Sequence, residues 1–234
     1  GNVTDEKIFS EDEMASIVNS DYSDLRKAIE KISTITFQIP PMFSAIKMEG
    51  VPLYKLARQG IVIERKPREV KIHEIKITSL SADKVLRANL EIHCSKGTYI
   101  RTICDDLGLL TGYFGYAKSL TRTACGPFNL EKSIKLEDLE KIIRDKPFNK
   151  DTLKSIQAVS DIPYALSGYK SIVLSVDSSK KLIQGQSVEF DNIHHDFDPI
   201  SVYDNFGVWI GVARQTSDPG IIKAERIFTD VQNY

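Results

Sequence analysis

The chain has 234 residues, of which 41% are hydrophobic and 27% charged, a composition typical of one or two globular domains that excludes disordered, collagen-like and coiled-coil proteins. The sequence contains no apolar run of the roughly 18 residues that cross a bilayer and no apolar core of a signal peptide, so we expect a cytosolic protein. Its three cysteines include no C-x-x-C motif, so we expect neither disulfides nor structural zinc. The net charge is −1, but residues 41–130 hold 14 Lys and Arg against 8 Asp and Glu. This local excess of positive charge indicates either a surface that binds a polyanionic partner or a basic face exposed to solvent.

The N-terminal part predicts a helix followed by a short strand. Ser10 and Glu13 form a capping-box pattern, and the stretch from there to about Ser33 is typical of a helix. Residues 34–38 are β-branched and aromatic enough for a strand, which the pair Pro40-Pro41 ends.

Residues 42–66 form an insertion that is short, cationic and aromatic. A strand is expected at 44–47 and a turn at Gly50, followed by a helix over 53–59 that Gly60 ends. The charged and aromatic side chains of the insertion include Lys47, Tyr54, Lys55, Arg58, Arg65 and Lys66.

Two strands, a helix and a third strand are predicted next. Residues 70–78 favour a strand whose alternation is interrupted midway, as a β-bulge would do. Residues 86–94 alternate between apolar and polar side chains, which indicates a half-buried antiparallel strand after a hairpin loop at 81–84. The apolar spacing then predicts a helix over 98–108, ended by the glycine at its last position, and residues 116–124 favour a further strand.

The C-terminal part changes from a helix and a linker to strands. A helix is predicted from Ser133 through Ile143, and residues 145–161 are typical of a polar linker. From about residue 169 the sequence predicts a compact β module. Its strands are expected at 171–176, 187–190, 200–204, 208–214 and 221–228.

The segment from Cys94 to Arg101 is the most informative candidate for a site. A strand ends there, a glycine turn follows, and a helix begins with Lys96 and Arg101 around its N-terminus. Because a helix N-terminus already carries about half a positive charge, this arrangement favours a bound anion. Alternatively, Arg101 is a surface residue paired with Asp105 one turn later.

Three motifs in the same order resemble those of the TruB family of pseudouridine synthases. Residues 39–47 resemble its I-P-P-x-x-S-A-x-K motif, and residues 50–60 resemble the G-x-x-x-Y…A-R-x-G continuation. Residues 95–108 resemble the signature S-K-G-T-Y-I-R-T-x-x-x-D-L-G, and residues 120–128 resemble L-x-R-T-x-x-G-P-F. The motifs cover about residues 36–128 and are most similar to the bacterial tRNA pseudouridine-55 synthases, and the C-terminal β module is similar to the family's PUA-like domain.

The resemblance implies a fold, an activity and a partner. The fold class is α+β, with a mixed sheet and flanking helices over residues 1–168, the C-terminal portion of the catalytic domain, and a small all-β PUA-like RNA-binding domain over residues 169–234. The implied activity is isomerisation of uridine to pseudouridine in the TΨC loop of tRNA, at position 55, without a metal or other cofactor. The uracil is detached from the ribose, rotated and rejoined through C5, so the site must hold a free base in place. We expect a monomer.

The resemblance also implies roles for particular residues. Arg101 would pair with the catalytic aspartate and keep it ionised, Tyr99 would lie beside it, and Leu120 would supply an apolar wall. The insertion at 42–66 resembles the family's thumb loop, which grips the T stem-loop of tRNA; without the motif it would be a cationic surface hairpin. The RNA-binding residues implied in this way are Ser44, Lys47, Tyr54, Arg58, Lys66 and Lys96.

The sequence departs from the family pattern at the catalytic aspartate. The family carries that residue in a G-x-L-D-P-x-A-x-G segment followed by a stacking tyrosine; neither motif occurs in the 234 residues, and Asp105 and Asp106 do not match it. We therefore expect the chain to be the C-terminal two-thirds of the enzyme, inactive alone, with the missing N-terminal segment of the same enzyme as its partner. The alternatives are a non-catalytic RNA-binding module and an unrelated α+β domain that binds phosphate. His194-His195 lies in an acidic loop that could suggest a metal, although adjacent loop histidines are more often solvated.

Overall fold

The structure, a computed structural model, describes residues 9–83, 85–145, 149–154, 156, 158–190 and 199–228. The chain divides into two units, Gly1–Leu120 and Thr121–Tyr234. The domain boundary predicted after residue 168 lies within the second unit and stays a prediction about domain organisation.

The first unit alternates between helices and strands. Its elements in chain order are α1 (Glu11–Asn19), α2 (Ser23–Ser33), β1 (Phe37–Gln38), β2 (Lys47–Met48), β3 (Val51–Pro52), α3 (Leu53–Arg58), β4 (Arg68–Glu69), β5 (Ile72–Ala82), β6 (Leu86–Cys94) and α4 (Ile100–Thr111).

Two helices, α1 and α2, replace the single helix that was predicted at the N-terminus. The predicted capping box begins α1: Ser10 Oγ accepts from the Glu13 N–H at 3.2 Å, and the Glu13 carboxylate accepts from the Ser10 N–H at 2.9 Å. Asp21 and Tyr22 then adopt left-handed backbone conformations, with φ of 51° and 56°, that a right-handed helix cannot continue. Arg26 Nε donates to the Asp21 carbonyl at 2.9 Å and holds this turn. The prediction of one helix was wrong because apolar spacing alone does not reveal such a turn.

The core of the first unit lies between α2, α4 and one face of the β5–β6 hairpin. β5 and β6 are antiparallel, and their register shifts between Ile72 and Glu74 and between Ile77 and Ser79, which confirms the predicted bulge. Apolar side chains of β6 face the helices, as the alternation predicted. The buried residues of this core are Leu25, Ala28, Ile29, Ile32, Ile72, Ile103 and Leu107.

Helix α4 continues for one turn beyond its predicted end at Gly108. It ends instead at Thr111, and Gly112, which follows, has a left-handed φ of 71°, the conformation that favours glycine after a helix. Gly108 lies where α4 touches the loop that follows it. A Cβ at Gly108 would lie 2.1 Å from the Gly115 nitrogen and 2.4 Å from the Phe114 carbonyl carbon. The glycine that looked like a helix stop is therefore required for close packing.

Replacing Gly108 by alanine should destabilise the protein by about 1–3 kcal/mol or more, because the added methyl group meets backbone atoms that cannot rotate away. Gly168→Ala is the matched control, since its Cβ would meet nothing within 4 Å; we expect no loss of stability there. Urea unfolding of both variants measures the two changes in the free energy of unfolding. If the two variants were equally stable, the close approach at Gly108 would not matter for folding.

The strand predicted over residues 116–124 was wrong. Residues 116–123 form an irregular segment in which Tyr116 and Leu120 stay largely exposed. A β-branched or aromatic run becomes a strand only where a neighbouring strand bonds its backbone, and no strand in the described part of the chain pairs with residues 116–123.

The second unit begins with short elements and continues into a larger sheet. None of the helices in the described ranges of either unit is long and apolar enough to cross a bilayer. The elements of the second unit in chain order are β7 (Ala124–Cys125), β8 (Phe128–Asn129), a 3-10 helix (Leu130–Lys132), α5 (Leu136–Asp145), α6 (Lys150–Lys154), α7 (Ile162–Ala165), β9 (Ser171–Leu174), α8 (Val176–Ile183), β10 (Val188–Glu189), β11 (Ile200–Asp204), β12 (Trp209–Gln215) and β13 (Ile221–Ile227).

Five strands of the second unit form one mixed sheet in the order β10-β13-β12-β11-β9, antiparallel except where β9 pairs with β11. All five strands predicted for the C-terminal module are present, and the predicted α+β fold class is confirmed. The module also contains α8, which begins where Ser175 Oγ accepts from the Ser178 N–H at 3.2 Å. The buried residues between α8 and the sheet are Leu174, Leu182, Ile183, Val188, Ile200, Val202, Ile210, Ala213 and Ile222.

Candidate functional site

The turn between β6 and α4 is tied to the chain just before β5. The Ser95 N–H donates to the Lys71 carbonyl and the Lys71 N–H donates to Ser95 Oγ, both at 2.8 Å. Gly97 has a left-handed φ of 86°, which lets the chain reverse before the helix. Lys96 lies between Ser95 and Gly97, and its side chain is exposed. The N-terminus of α4 is thus held at a defined place on the hairpin.

Gln38 of β1 fixes the residue at which α4 begins. Its side chain is only 5% exposed; Oε1 accepts from the Tyr99 N–H at 2.7 Å, and Nε2 donates to the Tyr99 carbonyl at 3.2 Å. The same carbonyl accepts the first helical hydrogen bond, from the Ile103 N–H at 3.1 Å. Gln38 could not be recognised from the sequence, because it lies 61 residues from Tyr99 and no local pattern marks it.

The N-terminus of α4 presents positive charge without an internal counter-charge. Tyr99 makes no side-chain capping hydrogen bond, and the first turn contains no acidic residue. Arg101 is exposed, and its predicted alternative partner Asp105 forms no ion pair with it. The first N–H groups of the helix, together with Arg101 and Lys96, are therefore suited to bind a carboxylate or a phosphate.

Of the three residues assigned to catalysis, Tyr99 and Arg101 lie together at the N-terminus of α4. Tyr99 is half-buried and Arg101 is exposed. Leu120 lies in the irregular segment after α4 and is 57% exposed. It is available as an apolar surface, and its role beside Arg101 stays a prediction.

The other ionisable groups of α4 do not have the properties of a carboxylate that pairs with Arg101. Burial, followed by repulsion from Asp105, raises the pKa of Asp106, whereas a neighbouring guanidinium would lower it. Burial, again with Asp105 as the second cause, raises the pKa of the Cys104 thiol. That thiol is therefore protonated at neutral pH and behaves as a half-buried packing residue.

The insertion at residues 42–66 is a β-hairpin followed by a helix. β2 and β3 are joined by a turn at Glu49 and Gly50, which have left-handed φ of 49° and 82°. Leu53 at the start of α3 is fully buried, and its N–H donates to the Ile46 carbonyl at 2.8 Å. The predicted turn and helix are confirmed, whereas the first strand begins three residues later than predicted.

Most of the side chains predicted to bind RNA lie on the surface of this insertion. Lys47, Arg58 and Lys66 are exposed, and Tyr54 is half-buried. The guanidinium carbon of Arg58 lies 5.5 Å from the centre of the Tyr54 ring, a cation–π contact. This contact orients Arg58 and leaves the edge of its guanidinium available for a phosphate.

Ser44 differs from the other predicted RNA-binding residues because it is buried. Its carbonyl accepts from the Tyr54 N–H at 3.1 Å, and its Oγ has no hydrogen-bond partner among the described residues. A buried hydroxyl without a partner costs about 1–3 kcal/mol. RNA could reach it only if the insertion moved, and its role stays a prediction.

His194-His195, the pair whose acidic loop could suggest a metal site, lies outside the described residues. Within the described ranges no group of three or more His, Cys, Asp or Glu residues is arranged to hold a metal ion.

Two family profiles match consecutive parts of the chain. Residues 3–100 match the TruB family pseudouridylate synthase (N terminal domain), and residues 101–166 match the tRNA pseudouridylate synthase B C-terminal domain.

Three similar proteins are called tRNA pseudouridine synthase B. The protein from Nitrosomonas europaea is 32% identical over 229 residues, which cover 94% of this chain and 70% of that protein. The protein from Saccharophagus degradans is 35% identical over 211 residues, with 88% of this chain and 65% of that protein covered. The protein from Shewanella pealeana is 34% identical over 212 residues, with 90% and 66% covered. The chain thus spans just under two thirds of the length of the last two relatives.

A solved structure has a similar fold. A chain in the crystal structure of a Cbf5-Nop10-Gar1 complex superposes with a TM-score of 0.66 at 16% identity, covering 90% of this chain and 63% of that chain. At this identity the similarity concerns the fold.

Proposed function

We propose, from the premise that this chain belongs to the TruB family of pseudouridylate synthases, that it forms part of an enzyme that converts uridine to pseudouridine in tRNA. The relatives named tRNA pseudouridine synthase B support this substrate, and the motifs at residues 39–47 and 95–108 support the uridine at position 55 of the TΨC loop. Family membership leaves no basis for the alternative of an unrelated phosphate-binding domain.

One observation supports the catalytic part of this function most directly: Arg101 lies at the N-terminus of α4 without a described ion-pair partner. A planar guanidinium can hold a carboxylate through two hydrogen bonds, keep it ionised and aim it at the target nucleoside. That carboxylate is the aspartate of the G-x-L-D-P segment, which this sequence does not contain. Tyr99 lies beside it with its backbone held by Gln38, and Leu120 supplies the apolar wall. The glycosidic bond breaks at N1 of the uracil and forms again at C5, which loses its proton while N1 gains one. The isomerisation therefore involves no net oxidation or reduction and needs no redox cofactor, and the proposal includes no metal.

The insertion at 42–66 grips the T stem-loop of tRNA. The target uridine must leave its stacked position to react, so a cationic clamp on the surrounding phosphates holds the loop in its opened form. Lys47, Arg58 and Lys66 supply the phosphate contacts, Tyr54 contributes an aromatic surface, and Lys96 binds a phosphate beside the N-terminus of α4. The missing N-terminal segment of the enzyme completes the site, and the protein works as a monomer in the cytoplasm.

Changing Lys47, Arg58 and Lys66 together to glutamine should weaken tRNA binding and make it less dependent on salt. For each phosphate contact that is lost, fewer counterions are released when the RNA binds. The magnitude of the slope of log K against log salt then falls by roughly 0.7–0.9 per contact. Filter binding or fluorescence anisotropy with a T stem-loop at several salt concentrations measures affinity and slope together.

The matched control changes three exposed lysines outside the insertion, Lys27, Lys31 and Lys76, to glutamine. It removes the same charge and should leave most of the salt slope in place. An unchanged slope in the insertion variant would show that the insertion does not touch RNA. Tight tRNA binding without isomerisation, even with the aspartate segment attached, would favour the second candidate function, a non-catalytic RNA-binding module, which the lack of that motif in this sequence suggests.

A further inference from the structure

The insertion at residues 42–66 is closed at its base by a short pair of strands, here called the stem. β1 precedes the insertion, β4 follows it, and the two strands are antiparallel. The directly opposed residues of the stem are Phe37 with Glu69 and Gln38 with Arg68. The Val70 N–H donates to the Thr36 carbonyl at 2.9 Å and adds a bond beside the strand pair. The stem therefore holds the two ends of the insertion together.

Both arms of the stem are bonded to the turn that leads into α4. On the first arm, the buried side-chain amide of Gln38 accepts from the Tyr99 N–H at 2.7 Å and donates to the Tyr99 carbonyl at 3.2 Å. On the second arm, just after β4, the Lys71 backbone is bonded to the N–H and the Oγ of Ser95, both at 2.8 Å. The stem is thus attached to residues 95–99 from two sides.

The attached segment carries the proposed catalytic arginine. Tyr99 is the N-cap of α4, with an extended backbone (φ −99°, ψ 104°), and Arg101 follows two residues later in the first turn of the helix. The amide of Gln38 bonds to the N–H and the C=O of the same residue, as a neighbouring strand would do. Gln38 therefore sets the backbone from which Arg101 projects.

We propose that Gln38 is a positioning residue for pseudouridine formation. It holds the insertion and Arg101 at a fixed separation, so that RNA gripped by the insertion presents its uridine to the carboxylate that Arg101 aims. This inference rests on the functions proposed above for the insertion and for Arg101. Gln38 acts through Tyr99, because its side chain is buried and bonded to that backbone. The separation matters because a displacement of about 1 Å can cost on the order of 10²-fold in rate.

Gln38→Met should reduce the single-turnover rate at least about tenfold while tRNA affinity changes little. The enzyme for this test carries a covalently added segment with the G-x-L-D-P motif. Methionine has nearly the length of glutamine but cannot bond to both backbone groups of Tyr99, and the phosphate-binding side chains of the insertion stay unchanged. Fluorescence anisotropy with a T stem-loop measures affinity, and tritium release from bound tRNA measures the rate.

Gln38→Asn is a second variant with the same expected loss of rate. It keeps a buried amide, which makes it the milder change for folding, but its side chain is one methylene shorter and does not reach both groups of Tyr99. The matched control is Tyr164→Phe in the second unit. The Tyr164 hydroxyl donates to the Pro127 carbonyl at 2.9 Å, a part-buried side-chain-to-backbone bond across 37 residues. Its loss should leave the rate unchanged, and thermal unfolding shows that each variant remains folded.

Hydrogen exchange follows the link without any turnover. In the 234-residue chain, a bound T stem-loop should slow exchange of the Tyr99 and Ile103 amides, because an insertion held by RNA limits opening of the stem and of the helix N-terminus bonded to it. In Gln38→Met this slowing should decrease. The bonded amides of Leu53 and Tyr54 within the insertion should still be slowed, which shows that RNA is bound.

Equal single-turnover rates in Gln38→Met and the unmodified enzyme would overturn the proposal. A loss of affinity with an unchanged rate would also overturn it, because Gln38 would then support only the shape of the insertion. So would equal slowing of Tyr99 exchange in both forms, since RNA would then touch α4 directly. These failures leave tRNA binding and turnover of the unmodified enzyme intact. A failure of the proposed function differs, because the unmodified enzyme then shows no turnover or no binding of the T stem-loop.

Discussion

The 234-residue chain alone is expected to form no pseudouridine from tRNA, and covalent addition of a segment with the G-x-L-D-P motif is expected to restore turnover. The N-terminus of α4 can orient a carboxylate, but neither aspartate of α4 is suited to that role. Asp105 forms no ion pair with Arg101, and Asp106 is half-buried with a raised pKa. Loss of an essential catalytic group reduces turnover by at least about 10³-fold. Tritium release from a T-loop uridine labelled at C5 measures turnover of both forms.

The control for this result is the same added segment with its aspartate changed to asparagine. It keeps the size and fold of the segment and removes only the charge, so it should restore tRNA binding without turnover. Pseudouridine formation by the 234-residue chain would contradict the assignment of the essential carboxylate to a segment outside this sequence. Equal turnover with asparagine would show that Arg101 does not act through that carboxylate.

Arg101→Lys in the form with restored activity should reduce the single-turnover rate by about 10²-fold or more while tRNA affinity changes little. Lysine keeps the charge but loses the planar group that can hold a carboxylate at two positions, and a small misplacement of a reacting group costs a factor of this size. Binding and single-turnover rates must be measured separately, because a steady-state ratio combines them.

The opposite result would identify a different role for Arg101. If affinity falls and chemistry on bound tRNA survives, Arg101 binds a phosphate together with Lys96. If Arg101→Ala changes neither quantity, Arg101 is a surface residue. Only a loss of chemistry with retained affinity agrees with its proposed pairing with the aspartate.

Features encoded by neighbouring residues could be predicted from the sequence. The capping box of Ser10 and Glu13, the two-residue alternation of β6 and the short helix α3 all appear as predicted, because their hydrogen bonds and faces depend on residues a few positions apart. The motif at residues 95–108 likewise placed Lys96, Tyr99 and Arg101 around one helix N-terminus. For these features the sequence alone determined both the local structure and the candidate site.

Other features depend on segments that meet only in the folded chain. The hydrogen bonds of Gln38 to Tyr99 join residues 61 positions apart, and the packing of Gly108 against Gly115 depends on the path of the loop after α4. Residues 116–123 have the composition of a strand but lack a partner strand in the described chain, so their backbone stays irregular. The stem also exists only because β1 and β4, on either side of the insertion, pair in the folded chain. The sequence alone determined the helices, strand faces and charges, whereas the tertiary structure decided which of them come together, because side-chain contacts and strand pairing require distant segments to approach.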